Sequence, residues 1–162
     1  MKHLFVSAMA GTLLLTACQS SSTSGGSIIE KPSVKVENGI MNTDVLMAFG
    51  RISDPVVSPD KQKVLYGVSY VDVAQNKSNR ELMVVNIDGS GRKQLTHTAS
   101  SELNGVWIDG GDKIAFLSAE SGSYQLWVMN ADGSHRRQIS HLDRDIQGFL
   151  LSPDETQILL IC

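Results

Sequence analysis

An all-β chain built from a tandem repeat is what this sequence predicts, and three observations predict it. The stretch Glu81-Leu82-Met83-Val84-Val85-Asn86-Ile87-Asp88-Gly89-Ser90-Gly91-Arg92-Lys93-Gln94-Leu95-Thr96 returns 44 residues later, without a gap, as Gln125-Leu126-Trp127-Val128-Met129-Asn130-Ala131-Asp132-Gly133-Ser134-His135-Arg136-Arg137-Gln138-Ile139-Ser140. A second block, Ser58-Pro59-Asp60-Lys61-Gln62-Lys63-Val64-Leu65-Tyr66, returns as Ser152-Pro153-Asp154-Glu155-Thr156-Gln157-Ile158-Leu159-Leu160, and in weaker form as residues 108–116. The apolar runs within these blocks are short, rich in β-branched and aromatic residues, and bounded by turn formers, which is strand physics rather than helix physics.

Val64–Tyr70, Leu82–Ile87, Ile114–Leu117 and Leu126–Met129 are the clearest strands. Pro59 and Pro153 fix φ at the first corner of a turn between a first and a second strand, and the aspartate after each can bond back to the loop backbone. Asp88-Gly89 and Asp132-Gly133 are expected to supply the positive φ angles of tight hairpins between a third and a fourth strand. Four short strands in roughly 44 residues is the arithmetic of a propeller blade. The predicted fold is therefore an incomplete β-propeller across residues 52–162, with a first blade at 52–96, a second at 103–140 and half of a third at 146–161. The copies of the Ser-Pro-Asp block are 50 and then 44 residues apart, so six extra residues are expected as a loop around Asp72–Asn79 of the first blade. Ahead of the strands, residues 41–51 read as a short helix over Asp44–Phe49, with Asn42 or Thr43 as N-cap and Gly50 just beyond its end.

A ring needs at least four blades, about 170 residues at this period. The chain has 162 residues, and its final run, Gln157–Cys162, would leave an apolar strand without outer neighbours. The expectation is the front of a longer polypeptide.

The first 17 residues read as an export signal: Lys2 and His3 precede a short apolar run, Leu4–Leu15, that is too brief for a spanning helix. Leu15-Thr16-Ala17-Cys18 resembles the lipobox of bacterial lipoproteins, which implies cleavage between Ala17 and Cys18 and acylation of Cys18. More than one acyl chain is enough for stable anchoring at about 0.8 kcal/mol per buried methylene. Residues 18–40 would then be the lipid anchor and a flexible tether, most evidently the small polar run Gln19–Ser27. The expected location is the bacterial cell envelope, on its periplasmic face or the cell surface, with the membrane as a partner through the lipid. Cys162 is the one other cysteine, so no disulfide framework is available. Loss of the signal takes away Lys2 and no acid, moving the formal charge from −3 to −4. No basic patch with interleaved aromatics appears, and no nucleic acid partner is expected.

Motifs that carry chemistry are sparse. No Gly-x-Ser-x-Gly nucleophile elbow occurs anywhere in the chain, so no catalytic residue is assigned. Ser58 and Ser152 read as turn hydroxyls that support the loop backbone. His97, His135 and His141 lack the spacing of a zinc site, and Asp109-Gly110-Gly111-Asp112 reads as a turn rather than a calcium loop, so neither metal nor cofactor is expected. Trp107, Trp127 and the repeat-equivalent set Tyr66, Phe116 and Leu160 read as packing between blades.

The paired Ser-Pro-Asp and Asn-x-Asp-Gly-Ser blocks resemble the TolB-like propeller repeat. More narrowly, Gly50-Arg51-Ile52-Ser53-Asp54-Pro55-Val56-Val57-Ser58-Pro59-Asp60, with the short helix before it, resembles the opening of the propeller in secreted serine peptidases of the prolyl oligopeptidase family, of the dipeptidyl and acylaminoacyl type. That resemblance implies a non-catalytic propeller that gates peptide substrates on their way to a C-terminal α/β-hydrolase domain, which this stretch lacks. The alternative is a TolB-like envelope lipoprotein whose propeller binds a protein or a glycan.

Overall fold

The computed structural model describes residues 27–162. A first antiparallel sheet runs β1 (Arg51–Val57), β2 (Lys63–Asp72), β3 (Lys77–Asn86) and β4 (Lys93–Gln94), in that spatial order. A second repeats the order with β5 (Glu102–Ile108), β6 (Lys113–Ser118), β7 (Gln125–Asn130) and β8 (Arg137–Gln138). A third begins with β9 (Gly148–Leu151) paired to β10 (Ile158–Ile161). This is a partial β-propeller of two full blades and the opening hairpin of a third.

The continuous apolar run of β6, Ile114-Ala115-Phe116-Leu117, follows from sheets stacked on both of its faces. Successive side chains of a strand point to opposite faces. Ile114 and Phe116 accordingly join Leu65, Leu82, Val84, Trp107 and Met129 in a core between the first two blades. Ala115 and Leu117 join Leu126, Ile146 and Phe149 in a second core against the third. Tyr66, Phe116 and Leu160 all look back toward the preceding blade: Phe116 and Leu160 meet one there. Tyr66, 8% exposed, instead lines a pocket together with the segment that precedes β1.

That segment contains α1 (Thr43–Met47), whose N-cap Asn42 accepts a hydrogen bond from the Val45 N–H at 2.9 Å. The helix stops short of the expected Phe49, because the Ala48 N–H closes the last turn on Asp44 and the chain must enter β1 at Arg51. Gly50 serves this entry by close approach rather than by a left-handed cap: a Cβ there would lie 2.9 Å from Val68 Cγ1. Of the stretch assigned to anchor and tether, residues 27–40 are described. Ile29 and Pro32 are half-buried where that stretch, α1 and the outer part of β2 enclose a groove of about 440 Å³.

Two expectations are corrected. The six extra residues of the first blade are not a loop. β2 and β3 are 10 residues each where β6 and β7 are 6, and they stay in register out to Asp72 opposite Lys77. The connecting turn, residues 73–76, is shorter than its counterpart at 119–124. Extension of the ladder satisfies the backbone groups that a loop would leave to water. In the third hairpin turn, the aspartates do not take positive φ; Gly89 (φ 84°) and Gly133 (φ 87°) do. Gly89 N–H closes a turn on Asn86 O at 2.8 Å, and Asp88 Oδ1 accepts the Ser90 N–H at 2.9 Å. Gly133 and Asp132 repeat both bonds, to Asn130 O at 2.9 Å and from the Ser134 N–H at 2.8 Å. The aspartate is thus the turn's side-chain cap and the glycine its conformational hinge.

Candidate functional site

β4 and β8 are two residues long, so the ladder of each third strand runs out of backbone partners early. A side-chain hydroxyl takes over. Thr96 Oγ1 accepts the Leu82 N–H at 2.9 Å and donates to Glu81 Oε2 at 2.6 Å. In the second blade Ser140 Oγ accepts the Leu126 N–H at 2.8 Å and donates to Gln125 Oε1 at 2.8 Å. These are the first and last positions of the aligned 16-residue block, Glu81 with Gln125 and Thr96 with Ser140.

The same side chains fasten the connection to the next blade. Gln125 Oε1 accepts the Leu142 N–H at 2.9 Å, and its amide donates to Leu142 O and Arg144 O at 3.0 and 3.1 Å. Glu81 Oε1 accepts the Thr98 N–H at 2.9 Å but has no amide. Asn79 supplies one, donating to Thr98 O at 2.6 Å and to Glu81 Oε1 at 2.9 Å.

Glu102 opens β5 directly beside this network, at a position held by Ile52 and Ile146 in the other blades. Its side chain is 0% exposed. Oε1 accepts from Thr98 Oγ1 at 2.9 Å and from Ser118 Oγ at 3.1 Å, while Oε2 is buried without a hydrogen-bond partner. Burial first, and the charge of Glu81 second, push the Glu102 carboxyl up to about 8.

The first strands carry a feature that sequence reasoning missed. β1 slips register between Ser53 and Val56, and β5 between Leu103 and Val106, each around a residue at positive φ: Asp54 (49°) and Asn104 (53°). Gly148 occupies the third equivalent position. Asp, Asn and Gly are the residues that tolerate the left-handed region, so the repeat alignment held the signal for a bulge. β1 and β5 lie side by side across the seam, and Arg80 Nη1 binds Asp54 Oδ2 at 2.8 Å beside the first bulge.

Cys18 and Ala17, the expected lipidation and cleavage positions, lie outside the described residues. Ser58 Oγ donates to Asp60 Oδ1 at 2.5 Å and accepts the Lys63 N–H at 2.9 Å; Ser152 does the same with Asp154 and Gln157. Both hydroxyls are committed to their turns. His97 lies 3.3 Å from Glu30 in the connection between blades, His135 sits in a turn with Asn130, and His141 lines a shallow cleft with Ser121 and Asp143. The structure does not bring the three together. Asp109–Gly111 is a single tight turn, with Asp109 paired to Lys113 at 2.6 Å. Trp107 Nε1–H donates across the seam to Val56 O at 3.1 Å, and the ring of Trp127 stacks under Arg136. Among the described residues, no group of three His, Cys, Asp or Glu could hold a metal ion, and no helix is long and apolar enough to cross a membrane.

Compared with known proteins, the chain is 51% identical over 135 residues to dipeptidyl-peptidase 5 of Porphyromonas gingivalis, a match covering 83% of this chain and 20% of that protein. It is 31% identical over 159 residues to dipeptidyl-peptidase 5 of Porphyromonas endodontalis, covering 98% of this chain and 23% of that protein. The resemblance to a peptidase propeller holds. The chain spans about a fifth of the length of these curated relatives. Among solved structures, the acylaminoacyl peptidase of Pyrococcus horikoshii matches 71% of this chain and 17% of its own, at a TM-score of 0.57 and 21% identity. The β-propeller domain of the Trilobed protease from Pyrococcus furiosus matches 69% of this chain and 33% of its own, at 0.54 and 20%. At those identities the likeness is one of fold. No family model matches the sequence.

Proposed function

We propose that this chain is the non-catalytic N-terminal propeller of a cell-envelope serine exopeptidase, where it gates the access of peptides to a downstream α/β-hydrolase domain. The observation that carries the reading is the 51% identity to a dipeptidyl-peptidase across 135 residues that make up only a fifth of that protein. Two physical features support it. Every described hydroxyl of the Ser-Pro-Asp turns is bonded into its own loop, which leaves the blades as scaffold and filter rather than nucleophile. The bulged first strands, side by side at the seam, present Asp54 and exposed Asn104 where a peptide passing along the ring's inner edge would meet them. Attachment to the envelope through an acylated Cys18 belongs to the same proposal.

The first test is the length of the native polypeptide in its host, by immunoblotting with an antibody raised against Leu82–Thr96. A band several times larger than 17.6 kDa, whose C-terminal peptides include a nucleophile elbow, supports the reading. Further blades with no hydrolase, or a band near the size of this chain, overturn it. The purified 162-residue chain is expected not to hydrolyse dipeptide reporter substrates, and active-site-dependent turnover by it would equally defeat the proposal.

A further inference from the structure

We propose that Glu81 of the first blade and Glu102 of the second form a carboxyl–carboxylate pair that shares one proton, a clip between the blades that loosens when the proton leaves. This rests on the geometry of the seam and not on the peptidase reading.

Both side chains are buried, Glu81 at 6% and Glu102 at 0% exposure. Glu81 already accepts three donors, Asn79 Nδ2 and the Thr98 N–H on Oε1 and Thr96 Oγ1 on Oε2, which favours its ionised form and leaves Oε2 room for one more. Glu102 receives hydroxyls only on Oε1, and its Oε2 is the buried atom left without a partner from the surrounding residues. Thr98 binds both side chains, its N–H on Glu81 Oε1 and its hydroxyl on Glu102 Oε1, each at 2.9 Å, and a proton on the orphaned oxygen satisfies it by donation to Glu81. Two carboxylates in contact cannot both ionise without strong repulsion in a dry site.

The charges facing the pair do not remove that demand. Arg136, from the connection between β7 and β8, reaches only 3.8 Å from Glu102 Oε1 and is engaged by Glu120 of the β6–β7 connection. Its guanidinium also lies 5.5 Å from the centre of the Trp127 ring. Arg80, next to Glu81 on β3, turns away to Asp54, and His97 of the β4–β5 connection pairs with Glu30 at the surface. The repeat supplies an internal comparison. At the position of Glu81 the second blade has Gln125, and at the position of Glu102 the third has Ile146, so the next seam is built without a proton to lose.

The sign follows from linkage. A carboxyl raised from 4.5 to about 8 holds its proton in the folded chain after the unfolded chain has released it, so stability is complete below about pH 4.5 and falls as pH rises toward 8. The test is urea unfolding of the chain from pH 5 to 9, followed by tryptophan fluorescence. In the wild type the unfolding constant should rise by up to about tenfold per pH unit between pH 5 and 8. Glu102→Gln carries an amide that donates to Glu81 at any pH, and should abolish that slope. An unchanged slope in the variant overturns the proposal. If Glu102→Gln does not fold, the wild type decides: with ¹³C-labelled glutamate, one carboxyl carbon should titrate near pH 8, and titration of every glutamate in the ordinary carboxylate range refutes the shared proton.

Discussion

Gly89 and Gly133 offer a controlled pair of substitutions, because they hold the same place in successive repeats and nearly the same backbone angle, φ 84° and 87°. Alanine at either must enter the left-handed region, which costs about 1–2 kcal/mol. Their surroundings differ. A Cβ on Gly89 would meet nothing within 4 Å, while one on Gly133 would lie 2.8 Å from Leu95 O and 3.3 Å from Leu95 Cα, in the backbone of the preceding blade. Leu95 cannot step aside freely, because its N–H is bonded to Leu82 O at 2.8 Å and Lys93 Nζ reaches across to Asp132 O at 2.8 Å. Overpacking of this kind adds about 1–3 kcal/mol. Gly89→Ala should therefore cost about 1–2 kcal/mol and Gly133→Ala about 2–5 kcal/mol. With a urea slope of about 2 kcal/mol per molar, the two midpoints should differ by about 0.5–1.5 M. Urea titrations of both variants at one pH are the assay. Coincident midpoints would refute the argument, since the angle would then account for the whole effect and the blade contact for none.

Phe116 is fully buried between the first two blades, so Phe116→Ala should lose about 3–5 kcal/mol in the same titration. Trp107→Phe keeps most of the ring volume but leaves Val56 O without its cross-blade donor; a loss of about 1–3 kcal/mol is expected, against a much smaller one if that carbonyl finds water. Asp88 and Asp132 are held below the usual aspartate range, first by the hydroxyls and then by the N–H groups of Ser90 and Ser134. A lowered acid stabilises above its unfolded value of 3.8 and loses that contribution as pH falls through the folded one. Acid unfolding followed by circular dichroism should thus be shallower in the Asp88→Asn, Asp132→Asn double variant than in the wild type.

The blade plan was legible because identical turn chemistry recurs at a fixed spacing, and a turn's residues are dictated locally. Pro59 with Asp60, and Asp88 with Gly89, need no knowledge of the rest of the chain. What escaped was whatever depends on the neighbour. The extra residues of the first blade read as a loop because Asp72, Gln75, Asn76 and Lys77 are polar, yet an edge-on hairpin standing in water tolerates polar side chains as long as its ladder continues. The bulges at Asp54 and Asn104 were written in the alignment, but a lone Asp or Asn is compatible with many conformations, and only the register shift singles them out. Glu81 and Glu102 are 21 residues apart and come to share Thr98 only because that residue lies in the connection from the fourth strand of one blade to the first strand of the next. A carboxyl that looks like one more surface acid in the sequence is, in the fold, enclosed on every side.

The lengthened β2–β3 hairpin also distinguishes one blade from the others during folding. Tandem units of near-identical sequence invite strand exchange, in which a hairpin of one unit docks into the sheet of another and traps the chain. A 10-residue strand from the first blade offered to a 6-residue partner from the second would leave its outer rungs unpaired and its register penalised from the start. Unequal length thereby makes the correct partner the cheapest one, and gives an otherwise repetitive chain a fixed point from which its blades can be counted.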